Sequence, residues 1–181
     1  MMYEISIGDL RYYIGALDET FDDLYCKWAN DPEVTYFLFQ GTYPVVKSDA
    51  IEIRHQHNCV IYGIYCDKVL IGTCGIYDIN WINRAGEFRI LIGEKTHWHK
   101  GIAKYCLTYV TAMAFDRFNL HKLCLGYNAA HEAAARAYAK SAFKVEYTIK
   151  EAHYKNGRYY DLVHMSLFKR DYQDQMSQSP H

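Results

Sequence analysis

Apolar and polar residues alternate with period two in several short segments of the chain and recur every three or four residues in others. The first pattern is typical of half-buried strands and the second of amphipathic helices. Strands are predicted at residues 3–7, 59–66, 69–78, 85–93, 122–127, 145–152 and 158–168, with another apolar patch at 12–17. Helices are predicted at residues 18–30, 48–57, 101–117 and 132–142. This order indicates a mixed α/β fold with a strand-loop-helix-strand-helix unit in its second half.

Two short polar segments predict tight turns between neighbouring strands. Asp67 and Lys68 separate the strands at 59–66 and 69–78, and Asn156-Gly157 suits a turn that needs positive φ. In the strand at 85–93 we expect the odd positions 87–91 on one face and the even positions 88–92 on the other, because side chains alternate along a strand.

Length and composition fit one globular domain, which we place at residues 1–173. The chain has 181 residues, of which 50% are hydrophobic and 23% charged. Residues 174–181 are rich in Gln and Ser and are predicted to be a disordered tail.

Charge and cysteine usage exclude several classes of protein. The formal net charge is −1 and the basic residues are scattered, so neither a nucleic acid nor a membrane is expected as a partner. No apolar run approaches the length of a membrane span, and no secretory signal is visible. The six cysteines lie far apart without a CxxC pair, so we expect no disulfide framework and a cytoplasmic protein.

The segment at residues 93–103 (GEKTHWHKGIA) is the strongest candidate for chemistry. It runs from a strand end into a helix, with Gly101 and Ala103 at the helix entry and Lys100 beside them. A helix N-terminus offers unpaired N–H groups and a positive dipole end, which together bind phosphate. The alternative is an ordinary strand-to-helix connection with small residues for packing. Neither GxxxxGK[ST] nor GxGxxG is present.

Four motifs in order resemble GNAT acetyltransferases. Residues 98–103 (WHKGIA) resemble the family's Q/R-x-x-G-x-G/A loop, and residues 136–143 (RAYAKSAF) resemble its R-x-Y-x-K-x-G-F stretch. Residues 28–34 (WANDPEV) and 156–161 (NGRYYD) are similar to segments of the branch that contains ribosomal-protein alanine acetyltransferases and spermidine acetyltransferases. The resemblance covers residues 1–172.

The resemblance implies a GNAT fold, with a central mixed, mostly antiparallel sheet flanked by about four helices. It also implies acetyl-CoA as the acetyl donor and no metal. The cofactor-binding residues that it implies are Ile90, Leu91, Ile92, Trp98, His99, Lys100, Gly101, Ile102, Ala103 and His131. Four positions depart from the family pattern: Trp98 replaces Gln or Arg, His99 follows it where Gly is frequent, His131 replaces Asn, and Ala142 replaces Gly.

The resemblance assigns Tyr138 as the general acid that protonates the departing CoA sulfur; the alternative is a core tyrosine. Glu87 occupies the position of a general base in many GNAT enzymes. The alternative for Glu87 is an exposed strand residue paired with Arg89 or a cross-strand lysine. Four histidines, at positions 97, 99, 121 and 131, lack the spacing of a metal-ligand set, and solvent-facing roles are favoured for them.

The acceptor pocket is expected between the first helices, the aromatic loop at 36–43 and the last hairpin, with Trp28, Glu33, Tyr36 and Phe37 as substrate-binding residues. The predicted acceptor is a small-molecule primary amine such as a polyamine. An amino sugar or a protein N-terminus is an alternative acceptor. A non-catalytic acetyl-CoA-binding module is the alternative from another class, favoured by Trp98 and His131. Exposed sheet edges also suggest a homodimer.

Overall fold

A computed structural model describes residues 3–38 and 42–178 of the chain. In these residues eight strands form one sheet in the order β1-β2-β3-β4-β5-β6-β8-β7. The strands are β1 (Tyr3–Ile7), β2 (Leu10–Gly15), β3 (Val60–Cys66), β4 (Val69–Asn80), β5 (Ala85–Ile92), β6 (Lys122–Asn128), β7 (Lys144–Lys155) and β8 (Arg158–Phe168). The helices are α1 (Phe21–Ala29), α2 (Lys47–His55), α3 (Ile102–Ala112), α4 (Glu132–Ala139) and α5 (Lys169–Gln178).

The sheet is antiparallel except where β5 and β6 run parallel, which confirms the predicted mixed, mostly antiparallel sheet. Within the described residues the parallel pairing joins Ala85 to Lys122, Gly86 to Leu123 and Glu87 to Cys124. After Glu87 the two strands separate, so the last five residues of β5 face a gap in the sheet. Along this gap, the backbone N–H and C=O groups of β5 that point towards β6 have no strand partner.

Both predicted tight turns are present. Asp67 and Lys68 have φ values of 46° and 72°, and Asn156 and Gly157 have φ values of 52° and 76°. Two successive residues with positive φ form the turn whose twist matches that of an antiparallel hairpin. The second turn joins β7 and β8 into a long hairpin that closes the fold.

Apolar side chains pack on both faces of the sheet. One cluster lies under α3 and includes Phe88 together with the partly buried Ile90 and Ile92. The other lies under α1 and α2 and takes Leu91 from the same strand. The predicted alternation along β5 is thereby confirmed, since its even positions and Leu91 pack on opposite faces.

Two predictions differ from the structure. The described residues contain five α-helices rather than about four, and the fifth, α5, continues to Gln178, where a disordered tail from residue 174 was expected. The physical reason is an anchor near its start: the Tyr172 hydroxyl lies 3.0 Å from Asp116 Oδ2, and its ring packs 5.1 Å from that of Phe115. Residues 39–41 of the predicted aromatic loop and residues 179–181 lie outside the described part.

Among the helices in the described part of the chain, none has the length and apolar character needed to cross a bilayer.

Candidate active site

A cavity of about 900 Å³ opens where β5 and β6 separate. Four segments form its walls: the end of β5, residues 97–104 at the start of α3, residues 130–140 around α4, and residues 33–38 after α1, in which Thr35 is buried and does not line the cavity. The wall includes all ten residues predicted to bind the cofactor, namely Ile90, Leu91, Ile92, Trp98, His99, Lys100, Gly101, Ile102, Ala103 and His131. The structure therefore gathers these residues around one space, while their individual roles stay predictions.

One end of the cavity is the N-terminus of α3. Gly101 caps the helix in the left-handed conformation, with φ of 79°, and a Cβ added there would meet nothing within 4 Å. The first turn carries no acidic residue, and no side chain caps it. The N–H of Lys104 donates to the Gly101 carbonyl, whereas those of Ile102 and Ala103 have no acceptor among the described residues and are available to an anion, which the helix dipole also attracts.

Basic side chains also line the cavity. Sequence reasoning singled out Lys100 but missed three further basic residues of the wall, which are Lys104, Arg136 and Lys140. The carboxylates in the wall are Glu33 and Glu132, and both are paired: Glu132 with Arg136 at 2.9 Å and Glu33 with Lys95 at 2.6 Å. The net positive charge suits a ligand that carries several phosphates. The signal for Arg136 and Lys140 was present, because both lie in the 136–143 motif.

Trp98 ties this loop to the open edge of β5. Its indole Nε1 donates a hydrogen bond to the carbonyl oxygen of Ile92, at 2.9 Å. The tryptophan that departs from the family pattern thus fixes the loop relative to the strand. Because a carbonyl oxygen has two lone pairs, the bond does not prevent Ile92 from accepting a second donor.

Tyr138 lies on α4 and is 7% exposed, with its ring 5.6 Å from that of Tyr127. Burial, and then the neighbouring Cys106 and Tyr127, raise the pKa of Tyr138 to about 12. It lines the cavity, and its hydroxyl forms no hydrogen bond with any residue that the structure describes. A phenol in this setting is protonated at neutral pH and has a donor to offer a bound molecule.

Glu87 is placed differently from the expectation of a catalytic base. It does not belong to the described cavity wall, and its Oε2 accepts hydrogen bonds from Arg89 Nε at 3.1 Å and Nη2 at 2.7 Å. Arg89 also pairs with Asp78. This arrangement corresponds to the alternative interpretation, in which Glu87 is a strand residue paired with Arg89.

Trp28, predicted to bind substrate, is 1% exposed and lies in the core instead. Its ring packs against Gly93, where an added Cβ would approach the ring to 2.0 Å. The indole Nε1 donates to Glu94 Oε1 at 3.0 Å, and Lys27 Nζ binds the same oxygen at 2.7 Å. The large apolar ring is buried because it fills the space between α1 and the end of β5, so Trp28 supports the site from behind.

The other three predicted substrate-binding residues, Glu33, Tyr36 and Phe37, do line the cavity. Phe37 stacks on His131 across it, with ring centroids 4.4 Å apart and an interplanar angle of 14°. Burial, and then nearby His99, lower the pKa of His131, so the stacked ring is neutral. The stack joins the segment after α1 to the start of α4 and covers one end of the cavity.

No group of three or more His, Cys, Asp and Glu side chains is arranged to hold a metal ion within residues 3–38 and 42–178.

An open helix N-terminus beside basic side chains and a protonated tyrosine line one cavity next to the split in the sheet, and this arrangement suits an acyltransferase whose acyl donor carries phosphates. The chain belongs to the acetyltransferase (GNAT) domain family, whose model matches residues 11–144. It is an acetyl-CoA-dependent N-acetyltransferase, and the family resemblance drawn from the motifs is confirmed.

Relatives with known names share this domain. A spermidine N(1)-acetyltransferase of Vibrio cholerae is 32% identical over 105 residues, which are 58% of this chain but only 60% of the relative. A spermidine N(1)-acetyltransferase of Escherichia coli K12 is 27% identical over 164 residues, covering 91% of this chain and 83% of the relative. The crystal structure of the Vibrio cholerae spermidine N-acetyltransferase with CoA and spermine is similar in fold, with a TM-score of 0.81, 24% identity, and coverage of 90% of this chain and 98% of the other.

Proposed function

We propose that this enzyme transfers acetyl from acetyl-CoA directly to a primary amine of a polyamine. The observation that carries the proposal is the single cavity, which is lined both by an anion-binding helix N-terminus and by the Phe37–His131 stack. Both reactants can therefore occupy one space. The described part of the cavity wall contains no cysteine, serine or threonine, which supports direct transfer rather than a covalent enzyme intermediate.

Each part of the cavity has a task in this proposal. The α3 N-terminus and Lys100 bind the pyrophosphate, and the backbone groups of residues 90–92 that face the gap bind the pantetheine arm. When bound, acetyl-CoA supplies the acetyl group as a thioester. Tyr138 donates its hydroxyl proton to the sulfur as the carbon–sulfur bond breaks, and it is reprotonated from solvent. The proton lost by the amine also leaves to solvent, because both carboxylates of the described wall are already paired.

The polyamine is preferred as acceptor because both named enzyme relatives act on spermidine. An amino sugar and a protein N-terminus are the competing acceptors.

Thermal unfolding with and without acetyl-CoA is the first test, since a ligand that binds only the native state raises the midpoint. Thiol release is then measured with spermidine, spermine, glucosamine and a peptide that begins with alanine. We expect a raised midpoint and turnover with the two polyamines. A raised midpoint with turnover only for glucosamine or the peptide would reassign the acceptor. A raised midpoint without any turnover would favour the non-catalytic module.

We also propose that two copies associate through β7. This strand lies at one edge of the sheet, and Val145, Tyr147 and Ile149 on it are 58%, 51% and 45% exposed. Apolar side chains on an open sheet edge favour pairing with another strand. Light scattering should give the mass of a dimer for the native chain and of a monomer for Ile149→Lys. A monomeric native chain would refute the association.

A further inference from the structure

The tip of the β7–β8 hairpin reaches back to the segment that follows α1. The ammonium group of Lys155 donates hydrogen bonds to the carbonyl oxygens of Thr35 and Leu38, the second at 2.7 Å. Thr35 is 1% exposed, so its carbonyl lies where water has little access. Hydrogen bonds from a charged donor to buried carbonyls are among the stronger ones in proteins. Lys155 therefore fastens residues 33–38, which form one wall of the cavity.

Two residues earlier on the same strand, His153 reaches the opposite wall. Its Nδ1 lies 3.0 Å from Nδ2 of Asn128, and the two side chains are 3% and 2% exposed. Asn128 Oδ1 in turn accepts a hydrogen bond from the backbone N–H of Ala130, at 2.9 Å. Ala130 and the next residue, His131, belong to the wall at the start of α4.

The hydrogen-bond pattern fixes the chemical state of His153. Because Asn128 Oδ1 already accepts from Ala130, its Nδ2 faces the histidine, and an amide NH₂ can only donate. Nδ1 of His153 must then be the acceptor, which leaves the proton of the neutral ring on Nε2. Burial, and then the charge of Lys155, lower the pKa of His153 and keep the ring neutral, while an interaction with the backbone of Leu38 opposes them.

We propose that His153 and Lys155 are positioning residues that clasp the two cavity walls together and thereby set the geometry of the acceptor end. This rests on the proposed function, because it assigns the acceptor amine to the end covered by Phe37 and His131. Lys155 binds the carbonyl oxygens of Thr35 and Leu38 on one wall, and His153 contacts Asn128, which orders Ala130 on the other. The α3 N-terminus, which holds the phosphates, is not part of the clasp.

Three single variants test the clasp: His153→Leu, Lys155→Met and the matched control Lys150→Met. Lys150 lies on the same strand, but it pairs with Asp161 at 2.8 Å on the exposed surface. In steady-state acetyl transfer to spermidine, we expect the amine KM to rise about tenfold or more in the first two variants, since each loses buried hydrogen bonds that hold a wall. The KM for acetyl-CoA should stay within about twofold, because the phosphate end is intact. The control should match the native enzyme in both.

Hydrogen exchange of the peptide that covers residues 31–38, measured without any substrate, gives a second readout. We expect faster exchange of this peptide in His153→Leu and Lys155→Met, with exchange in α3 unchanged. Native exchange at 31–38 in both variants would overturn the proposal, as would equal rises in the KM values of amine and acetyl-CoA. If the native enzyme acetylates no polyamine, the proposed function fails, and the exchange experiment still decides whether the clasp exists.

Discussion

Replacing Tyr138 with phenylalanine removes one oxygen atom from the wall of the cavity and leaves the ring in place. Within the described residues the hydroxyl has no hydrogen-bond partner, so its removal leaves no protein group unsatisfied. The ring remains packed beside Tyr127. We therefore expect the free energy of unfolding to change by less than about 0.5 kcal/mol.

The catalytic effect follows from two pKa values. The pKa of Tyr138 is raised to about 12, whereas an alkyl thiol such as that of CoA has a pKa of about 8.5. A thiolate of this low basicity is a good leaving group. Proton transfer from an acid as weak as Tyr138 therefore lowers the barrier only modestly. General acid catalysis is generally worth 10²- to 10⁴-fold, and we place Tyr138 at about 10²-fold, or roughly 2.7 kcal/mol of barrier.

The assay is steady-state thiol release with saturating acetyl-CoA, accompanied by the thermal midpoint with and without acetyl-CoA. Tyr138→Phe should lower kcat by about 10²-fold while the midpoint and its rise with acetyl-CoA stay at the native values. A loss of kcat below about fivefold would refute the role of Tyr138 as the acid. A fall in the midpoint of the free protein would instead show that the hydroxyl has a structural task.

Four further predictions concern other parts of the molecule. Gly101→Ala should cost about 1–2 kcal/mol in urea unfolding, since φ is 79° and the added Cβ has open space, and a larger loss would indicate a clash. With both carboxylates of the described wall paired, kcat/KM for a polyamine should rise about tenfold per pH unit from about pH 6 to 9, because only the neutral amine reacts. Glu87→Gln should leave that profile within about twofold of native, and a loss of about 10²-fold would restore Glu87 as the base. Arg54→Leu should destabilise by about 3 kcal/mol in urea unfolding, because Asp22, 3.0 Å away and 8% exposed, would keep a buried charge without a partner; an unchanged midpoint would contradict this.

Local patterns were sufficient to predict most of the sheet. The positive φ values of the Asn156-Gly157 turn are predictable because these residue types adopt them readily. The alternation in β5 depends only on the side chains of that strand. The helix α5 was missed because its composition is polar and its support comes from Asp116 and Phe115, more than fifty positions away. Helix propensity is a local property, so it carries no information on a contact between such distant residues.

The candidate site could likewise be predicted where its residues are close in sequence, but not where they are far apart. Residues 90–92 and 97–103 lie in one continuous segment, so a motif could gather them, and the structure places them around one cavity. His153 and Lys155 could not be predicted, because their partners lie 25 and 117 residues away from them. Trp28 was assigned to the substrate from its motif, although its burial is decided by a glycine at position 93 that leaves space for the ring.

The parallel pairing of β5 with β6 is the shortest strand pairing in the part of the sheet that the structure describes. Three residue pairs join the β1–β5 half to the β6–β8–β7 half, while apolar side chains of both halves share one core with α3. A donor molecule bound in the gap would contact both halves. We therefore expect the unliganded enzyme to yield first at this pairing under mechanical load or protease attack, and a bound donor to slow that opening.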